Sequence, residues 1–259
     1  MMERDRAASI EALRTGLDLG MTHIDTAEMY GDGAVEELVG EAIAGRRDEV
    51  FLVSKVLPHH ATRRGTIAAC EASCKRLGTD VLDLYLLHWP GEHALEEVIA
   101  GFLDLIGLGH IRAWGLSNCD EDELNQAVSI AGEGAVACNQ VLYHLGERSI
   151  EHEVLPSCAR HRASVVAYSP LGQGRFPEAE SEEGRALYDV AARHDATPHQ
   201  VALAFLLRHP QVFVVPKASR VEHVERNAAA AALELGQEDI ARIEQIFPVG
   251  PRRHGVAML

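Results

Sequence analysis

Residues Leu82–Asn118 read LDLYLLHWPGEHALEEVIAGFLDLIGLGHIRAWGLSN. The stretch opens on a short leucine-rich run, LDLYLLH, and closes on a second short apolar run, IRAWGLS, with a longer amphipathic segment between them. A strand, a helix and a strand in so short a span form the unit from which parallel sheets are assembled. Working outward, the same alternation recurs. Further candidate strands are THIDT from Thr22, VFLVSK from Val50, AVACNQ from Ala135, SVVAYS from Ser164 and VFVVPK from Val212, each followed by a helical pattern. Buried, apolar strands alternating with helices predict a parallel sheet covered by helices, either an open doubly wound sheet or a (β/α)8 TIM barrel.

Two observations favour the barrel. No GxGxxG follows an early strand, so an open dinucleotide-binding sheet lacks its phosphate turn. Nearly every candidate strand also ends in a residue capable of chemistry or hydrogen bonding: Asp25, Lys55, His88, Ser117 and Asn118, Gln140, Tyr168 and Ser169, and Lys217. In a barrel these ends converge on one face, where barrel enzymes build their sites. The count is seven strands where such a barrel closes with eight. The shortage lies at the front, where the first readable element, Arg6 to Leu19, is a helix.

With 259 residues, 47% of them hydrophobic, the chain fits a single domain spanning 1–259 and can bury one core without disulfides or metal. Subtracting 39 acidic from 24 basic residues gives a net charge of −15, the wrong sign for nucleic-acid binding through phosphates. Five scattered cysteines, Cys70, Cys74, Cys119, Cys138 and Cys158, have no paired spacing for zinc; no metal is expected, and a reducing cytosol is the natural setting. No signal peptide and no apolar run of bilayer length is present, so a soluble, cytoplasmic protein without a membrane partner is expected.

GMTHIDTAEMYGD, VSK, LLHWP, GLSN, NQ, YSPLGQG and VPKAS occur in this order, and the match from about Gly20 onward resembles the aldo-keto reductases. Each word alone is weak, but seven in sequence at strand ends are a strong signal. The last segment, FPVGPRRHGVAML, is similar to the short tails of bacterial members.

The chemistry follows from the residues. Hydride addition to a carbonyl leaves negative charge on oxygen, so a proton donor must stand beside it. Tyr30 is the candidate. A phenol is a weak acid at neutral pH unless a nearby cation stabilises its anion. Lys55 can supply that cation, held and kept protonated by Asp25, and His88 completes a donor pair that grips the carbonyl oxygen. The resemblance implies the same roles for all four. Taken singly, Asp25 could be a helix N-cap, Tyr30 an interface aromatic, Lys55 a solvated strand end and His88 a satisfied core imidazole. Four suitable residue types on three successive strand ends make that joint account improbable.

No side chain can donate hydride, so a nicotinamide cofactor is implied. Barrels commonly hold phosphate at their last two loops, here PLGQGR from Pro170 and PKASR from Pro216. The first offers backbone N–H groups, and Ser169, Leu171 and Gly172 are assigned to the cofactor with it. The second offers Lys217 and Arg220 beside a helix start at Ser219. An ordinary flexible turn and a solvated lysine are the competing readings of Gly172 and Lys217. The resemblance adds Tyr168 as the ring on which nicotinamide stacks, Ser117, Asn118 and Gln140 for its carboxamide, and Asn227 for adenine.

There are two departures from the family pattern. His223 stands where many members place an arginine for the 2′-phosphate, although Lys217 and Arg220 keep NADP(H) the preferred cofactor. The first strand, of the GxGTW kind, is missing, which leaves the Thr22 and Val212 strands facing each other across a gap. The accounts of that gap are a chain start placed too late, which is favoured, a tolerated gap, and a strand from another subunit. The expected activity is reduction of small aldehydes and ketones, such as 2-oxoaldehydes or sugar-derived carbonyls, to alcohols, with Trp89 and His88 facing the substrate. The alternatives are a nucleotide-binding module that senses redox state, or a truncated barrel of low activity. A monomer or weak homodimer is expected.

Overall fold

The computed structural model describes residues 3–259. The chain begins with α1 (Glu3–Asp18) and continues through β1 (His23–Asp25), α2 (Ala34–Ile43), β2 (Phe51–Val56), α3 (Arg63–Leu77), β3 (Leu82–Leu87), α4 (Leu95–Leu108), β4 (Ile111–Ser117) and α5 (Glu121–Ala131). It then runs through β5 (Cys138–Leu142), α6 (Val154–Arg160), β6 (Ser164–Tyr168), α7 (Glu182–Arg193), α8 (Pro198–Leu207), β7 (Val212–Val215), α9 (Val221–Ala229) and α10 (Gln237–Ile246). Each strand pairs in parallel with its neighbours in chain order, β1 through β7. All seven predicted strands are present. The fifth is displaced, starting at Cys138 rather than Ala135 and running past Gln140 to Leu142.

Period-two alternation assigns each strand residue to one of two cores. Val53, Leu84, Leu86, Cys138 and Val166 form a small cluster inside the barrel. Leu52, Tyr85, Leu87, Trp114 and Leu116 turn outward into the large cluster shared with the helices. Every residue of β3 is buried, as in a strand covered on both faces, and the one charge among them, Asp83, is paired with Arg47 and Arg112.

Among the described residues no strand joins β1 to β7. Both edge strands are short, three and four residues. The helical layer closes where the strands do not, because α1 packs against α9 as well as against α2. Gly16 of α1 faces Val224 of α9 at that junction, close enough that a Cβ there would make an ordinary contact of 3.5 Å with Val224 Cγ1. Phe51 shares the inward face of Val53, and Phe213 that of Val215, yet they are 42% and 51% exposed. The open seam thus leaves the N-terminal end of the barrel interior uncovered, as the count of strands predicts.

Ladder bonds at an edge open more readily than those in the middle of a sheet. In a hydrogen-exchange experiment the amides of β1 and β7 are expected to exchange first and those of β3 and β4 last, although all four strands lie in one sheet. Equal protection of β1 and β3 would show that the seam carries no local instability.

Candidate active site

The strand ends converge as expected. Asp25 is the last residue of β1, Lys55 lies at the end of β2 and His88 directly follows β3. Lys55 is fully buried; its Nζ donates to Asp25 Oδ1 at 2.5 Å and to the carbonyl oxygen of Thr26 at 2.9 Å. Burial by itself pushes the ammonium pKa down, but the carboxylate of Asp25 and the phenol of Tyr30 outweigh it and raise the pKa above the usual lysine value. Lys55 is therefore a buried, charged group at neutral pH. Asp25 is not a helix cap, since α2 starts at Ala34 behind Gly33.

Tyr30 sits in the turn between β1 and α2. The three residues after it, Gly31, Asp32 and Gly33, all have left-handed backbones, with φ of 59°, 51° and 89°. Such a run reverses the chain sharply and brings the ring back over the barrel mouth. Lys55 Nζ stands 5.1 Å from the Tyr30 ring centroid. The Tyr30 and His88 rings meet edge to face with centroids 5.7 Å apart, and the Trp89 ring lies 4.8 Å from that of His88. Burial first, then the charge of Lys55, lowers the His88 pKa to about 4, so its ring is neutral at physiological pH. Its Nδ1 is buried with no partner among the described residues, so His88 is not a satisfied core imidazole.

The residues assigned to nicotinamide gather around the same opening. Asn118, with φ of 58°, donates from Nδ2 to the His88 carbonyl oxygen and to Ser117 Oγ, and its Oδ1 accepts from the Tyr168 hydroxyl at 2.8 Å. One side chain thereby ties the ends of β3, β4 and β6 together. Burial pushes the Tyr168 phenol up to about 12, so it remains a donor. Gln140 is already engaged, its Nε2 donating to Asp25 Oδ2 at 2.8 Å. Both oxygens of Asp25 thus have partners inside the barrel.

A cavity of about 910 Å³ opens above this floor and is lined by Tyr30, His88, Trp89, Ser117, Asn118, Gln140, Tyr168, Ser169 and Gly172. Asp25 and Lys55 are absent from its lining. Leu171 faces the core, and with Gly172 it also borders a smaller neighbouring pocket. Ser169 and Gly172 have φ of 48° and 76°, a backbone that turns the loop after β6 along the cavity wall.

Lys217, Ser219, Arg220, His223 and Asn227 do not line the cavity; they lie beyond β7 and on α9, all exposed except the partly buried Asn227. One expectation needs correcting here: Ser219 does not start the helix. Arg220 occupies the N-cap of α9, and no side chain caps it. Glu222 was overlooked beside them, its Oε1 lying 3.7 Å from Arg220 Nη1 and 3.4 Å from His223 Nε2.

Also missed were His144, Glu147, Gln173 and Arg175 on the wall, and Ala257–Leu259 at the mouth. Reading β5 as ending at Gln140 cut off the first two. The tail reaches the mouth because Arg148, buried, donates to the Phe247 carbonyl, His152 meets the Gly250 carbonyl at 3.0 Å, and Arg253 pairs with Glu147 at 3.5 Å. These contacts are long-range, so no local pattern announces them.

The chain is similar to known proteins over most of its length. The family model described as "Aldo/keto reductase family" matches residues 2–247. Methylglyoxal reductase YeaE of Escherichia coli (strain K12) is 45% identical over 243 residues, covering 94% of this chain and 86% of the relative. Pyridoxine 4-dehydrogenase of the same organism is 32% identical over 264 residues, covering 94% of this chain and 88% of the relative. Among solved structures, an aldo-keto reductase from Klebsiella pneumoniae in complex with NADPH superposes with a TM-score of 0.93 at 44% identity, over 100% of this chain and 91% of that one. No helix among the described residues is long and apolar enough to cross a membrane. The match to the family model over nearly the whole chain, with the fold and the relatives in agreement, shows that the chain belongs to the aldo/keto reductase family.

Proposed function

We propose that this chain reduces small aldehydes and ketones to alcohols with NADPH, Tyr30 acting as the general acid. The observation that carries the reading is the buried Lys55–Asp25 pair lying directly beneath a cavity that Tyr30 and His88 share. A buried ammonium is costly unless it is paired, and this one has an open phenol as its remaining neighbour. The relatives add support, one being a methylglyoxal reductase and one a structure solved with NADPH.

The residues present fit the cofactor: a cavity of sufficient size, an unpartnered buried imidazole nitrogen at its floor, and an exposed cluster of Lys217, Arg220 and His223 beyond it. Tyr168, Ser117 and Asn118 would hold the nicotinamide end, with Gln140 turning from Asp25 or sharing its amide between the two. Ser169, Leu171 and Gly172 would border the middle of the molecule, and Lys217, Ser219, Arg220, His223 and Asn227 the adenosine end. Bound nicotinamide supplies the hydride.

The chain's own residues do the rest. The substrate oxygen lies between the Tyr30 hydroxyl and His88, with Trp89 as a wall. A neutral imidazole has one N–H to give, and His88 gives it to that oxygen. As negative charge grows there, the Tyr30 O–H passes its proton to the oxygen, and the Lys55 ammonium stabilises the phenolate left behind. Asp25 keeps Lys55 charged and aimed.

Purified protein with NADPH and methylglyoxal should consume nicotinamide absorbance. Tyr30→Phe is expected to lower kcat by at least about a hundredfold, the scale of a lost general acid, with cofactor binding nearly unchanged. Retained turnover would remove Tyr30 from the role.

Glu222 competes with a 2′-phosphate for Arg220 and His223. NADPH should bind more tightly than NADH, by a margin that shrinks with added salt. Glu222→Gln should strengthen NADPH binding by about threefold, the scale of an exposed ion pair, and leave NADH unchanged. Equal affinities for both nucleotides at low salt would withdraw the phosphate-reading role.

His88 also gives a pH dependence. Its folded-state pKa of about 4 lies below the ordinary histidine value of 6.5, so between these values the unfolded chain binds the extra proton and the folded chain does not. This part of the stability is fully present above pH 6.5 and is lost as pH falls toward 4. Thermal melts should decline across that window, and His88→Gln should flatten the decline. The kcat profile should show no histidine break near 6.5 from this residue.

A further inference from the structure

We propose that Glu28 is a positioning residue for Tyr30, its carboxylate locking the turn that carries the phenol onto the strand that carries Lys55. The proposal rests on the reading of Tyr30 as proton donor.

The argument starts from the β1–β2 ladder. Phe51 N donates to the Thr22 carbonyl, so alternate N–H groups of β2 point toward β1. Leu57, six residues on and just past the end of β2, stands in the same row. By the spacing that pairs Phe51 N with Thr22, its ladder acceptor would be the main-chain carbonyl of residue 28, but β1 ends at Asp25 and the chain turns away before that point. Glu28 Oε1 fills the vacancy, accepting from Leu57 N at 2.7 Å. The Glu28 side chain is only 9% exposed, so this is a charge-assisted bond in a sheltered place and not a solvated surface contact.

Its location is what matters. Glu28 lies two residues before Tyr30 and Leu57 two residues after Lys55, so the bond runs alongside the Tyr30–Lys55 contact and sets its span. The backbone bonds within the turn are all longer, Tyr30 N to the Ala27 carbonyl at 3.1 Å, Asp32 N to the Met29 carbonyl at 3.4 Å, Ala34 N to the Gly31 carbonyl at 3.0 Å and Val35 N to the Tyr30 carbonyl at 3.3 Å; none of them ties the turn to β2, and three left-handed residues follow the tyrosine. His60 Nδ1 meets the same Glu28 oxygen at 3.1 Å from a ring that is 47% exposed, and so steadies the carboxylate from outside. A displacement of roughly 1 Å at a reacting group can cost about a hundredfold in rate, so a turn of this kind needs such a lock.

The test compares the parent protein with Glu28→Ala, Glu28→Gln and Tyr30→Phe, labelled with 13C-tyrosine. The nuclear Overhauser contact between the Tyr30 and His88 rings is read without substrate, Tyr30 being assigned by its missing signal in Tyr30→Phe. Glu28→Ala should lose that contact and about thirtyfold in kcat, with KM within about twofold. Glu28→Gln, whose amide oxygen still accepts from Leu57 N, should keep the contact and most of the turnover. Leu57→Pro, tolerated by a φ of −70° at that position, removes the same bond from the donor side and should match Glu28→Ala. An unchanged ring contact in both Glu28→Ala and Leu57→Pro overturns the proposal, as does a Glu28→Gln variant no better than Glu28→Ala. If Tyr30→Phe turns over like the parent, the acid assignment fails instead, and the ring contact still decides whether Glu28 sets the turn.

Discussion

The ion pair between Lys55 and Asp25 is the constraint around which the barrel mouth is arranged. Removing one partner of a buried pair costs about 3–5 kcal/mol, because the other charge is left without compensation. Asp25 must therefore point inward from β1, which fixes the register of His23–Asp25 against Phe51–Val53. Gln140 reaches across from β5 to the second oxygen of Asp25, so strands at opposite sides of the sheet answer to one carboxylate. His88 is neutral chiefly because its ring is buried; the Lys55 ammonium adds to the effect and Asp25 opposes it.

Much of this was legible in the sequence because both the fold and the site obey short-range rules. Period-two and helical periodicity gave all seven strands, and strand ends facing one mouth gave Asp25, Lys55, His88, Asn118 and Tyr168. What stayed hidden depends on contacts between distant segments. The engagement of Gln140 by Asp25, 115 residues away, has no local signature. Neither has the course of the tail, which is set by Arg148, His152 and Glu147. At α9 the error was local: Ser219 looks like a cap, but the helix begins one residue later and the cap position falls to Arg220. Glu222 escaped notice for another reason. It stands two residues beyond PKASR, outside the basic run that marks the loop, and pairs with Arg220 alone of that run.

The molecule separates its stable parts from its active ones. The large cluster between strands and helices carries the packing, and Trp114, Tyr85, Phe102 and Phe205 lie within it, away from the mouth. Inside the barrel the apolar layer is thin, little more than Val53, Leu84, Leu86, Cys138 and Val166. Above that layer Asp25, Lys55, Asn118, Gln140 and Tyr168 are bonded to one another or to the backbone, while His88 Nδ1 has no partner among the described residues. Asn118 joins three strand ends, Gln140 holds Asp25, and Glu28 holds the turn of Tyr30. Such a network is stiff because each polar group loses a buried partner if it moves.

The open seam bears on the site through this division of labour. Phe51 and Phe213 are exposed at the N-terminal end of the barrel, whereas Lys55, four residues along β2 from Phe51, is fully buried. At the strand rise of about 3.3 Å, four residues correspond to about 13 Å. Val53 lies between them, 0% exposed, and closes the interior beneath the ion pair. The helices also span the gap, α1 against α9, so the outer wall is continuous where the inner one is not. Water at the uncovered end therefore meets an apolar plug before it reaches Lys55, and the low-dielectric setting that makes the Lys55–Asp25 pair effective is maintained by Val53, Leu84 and Val166, without help from a strand between β1 and β7.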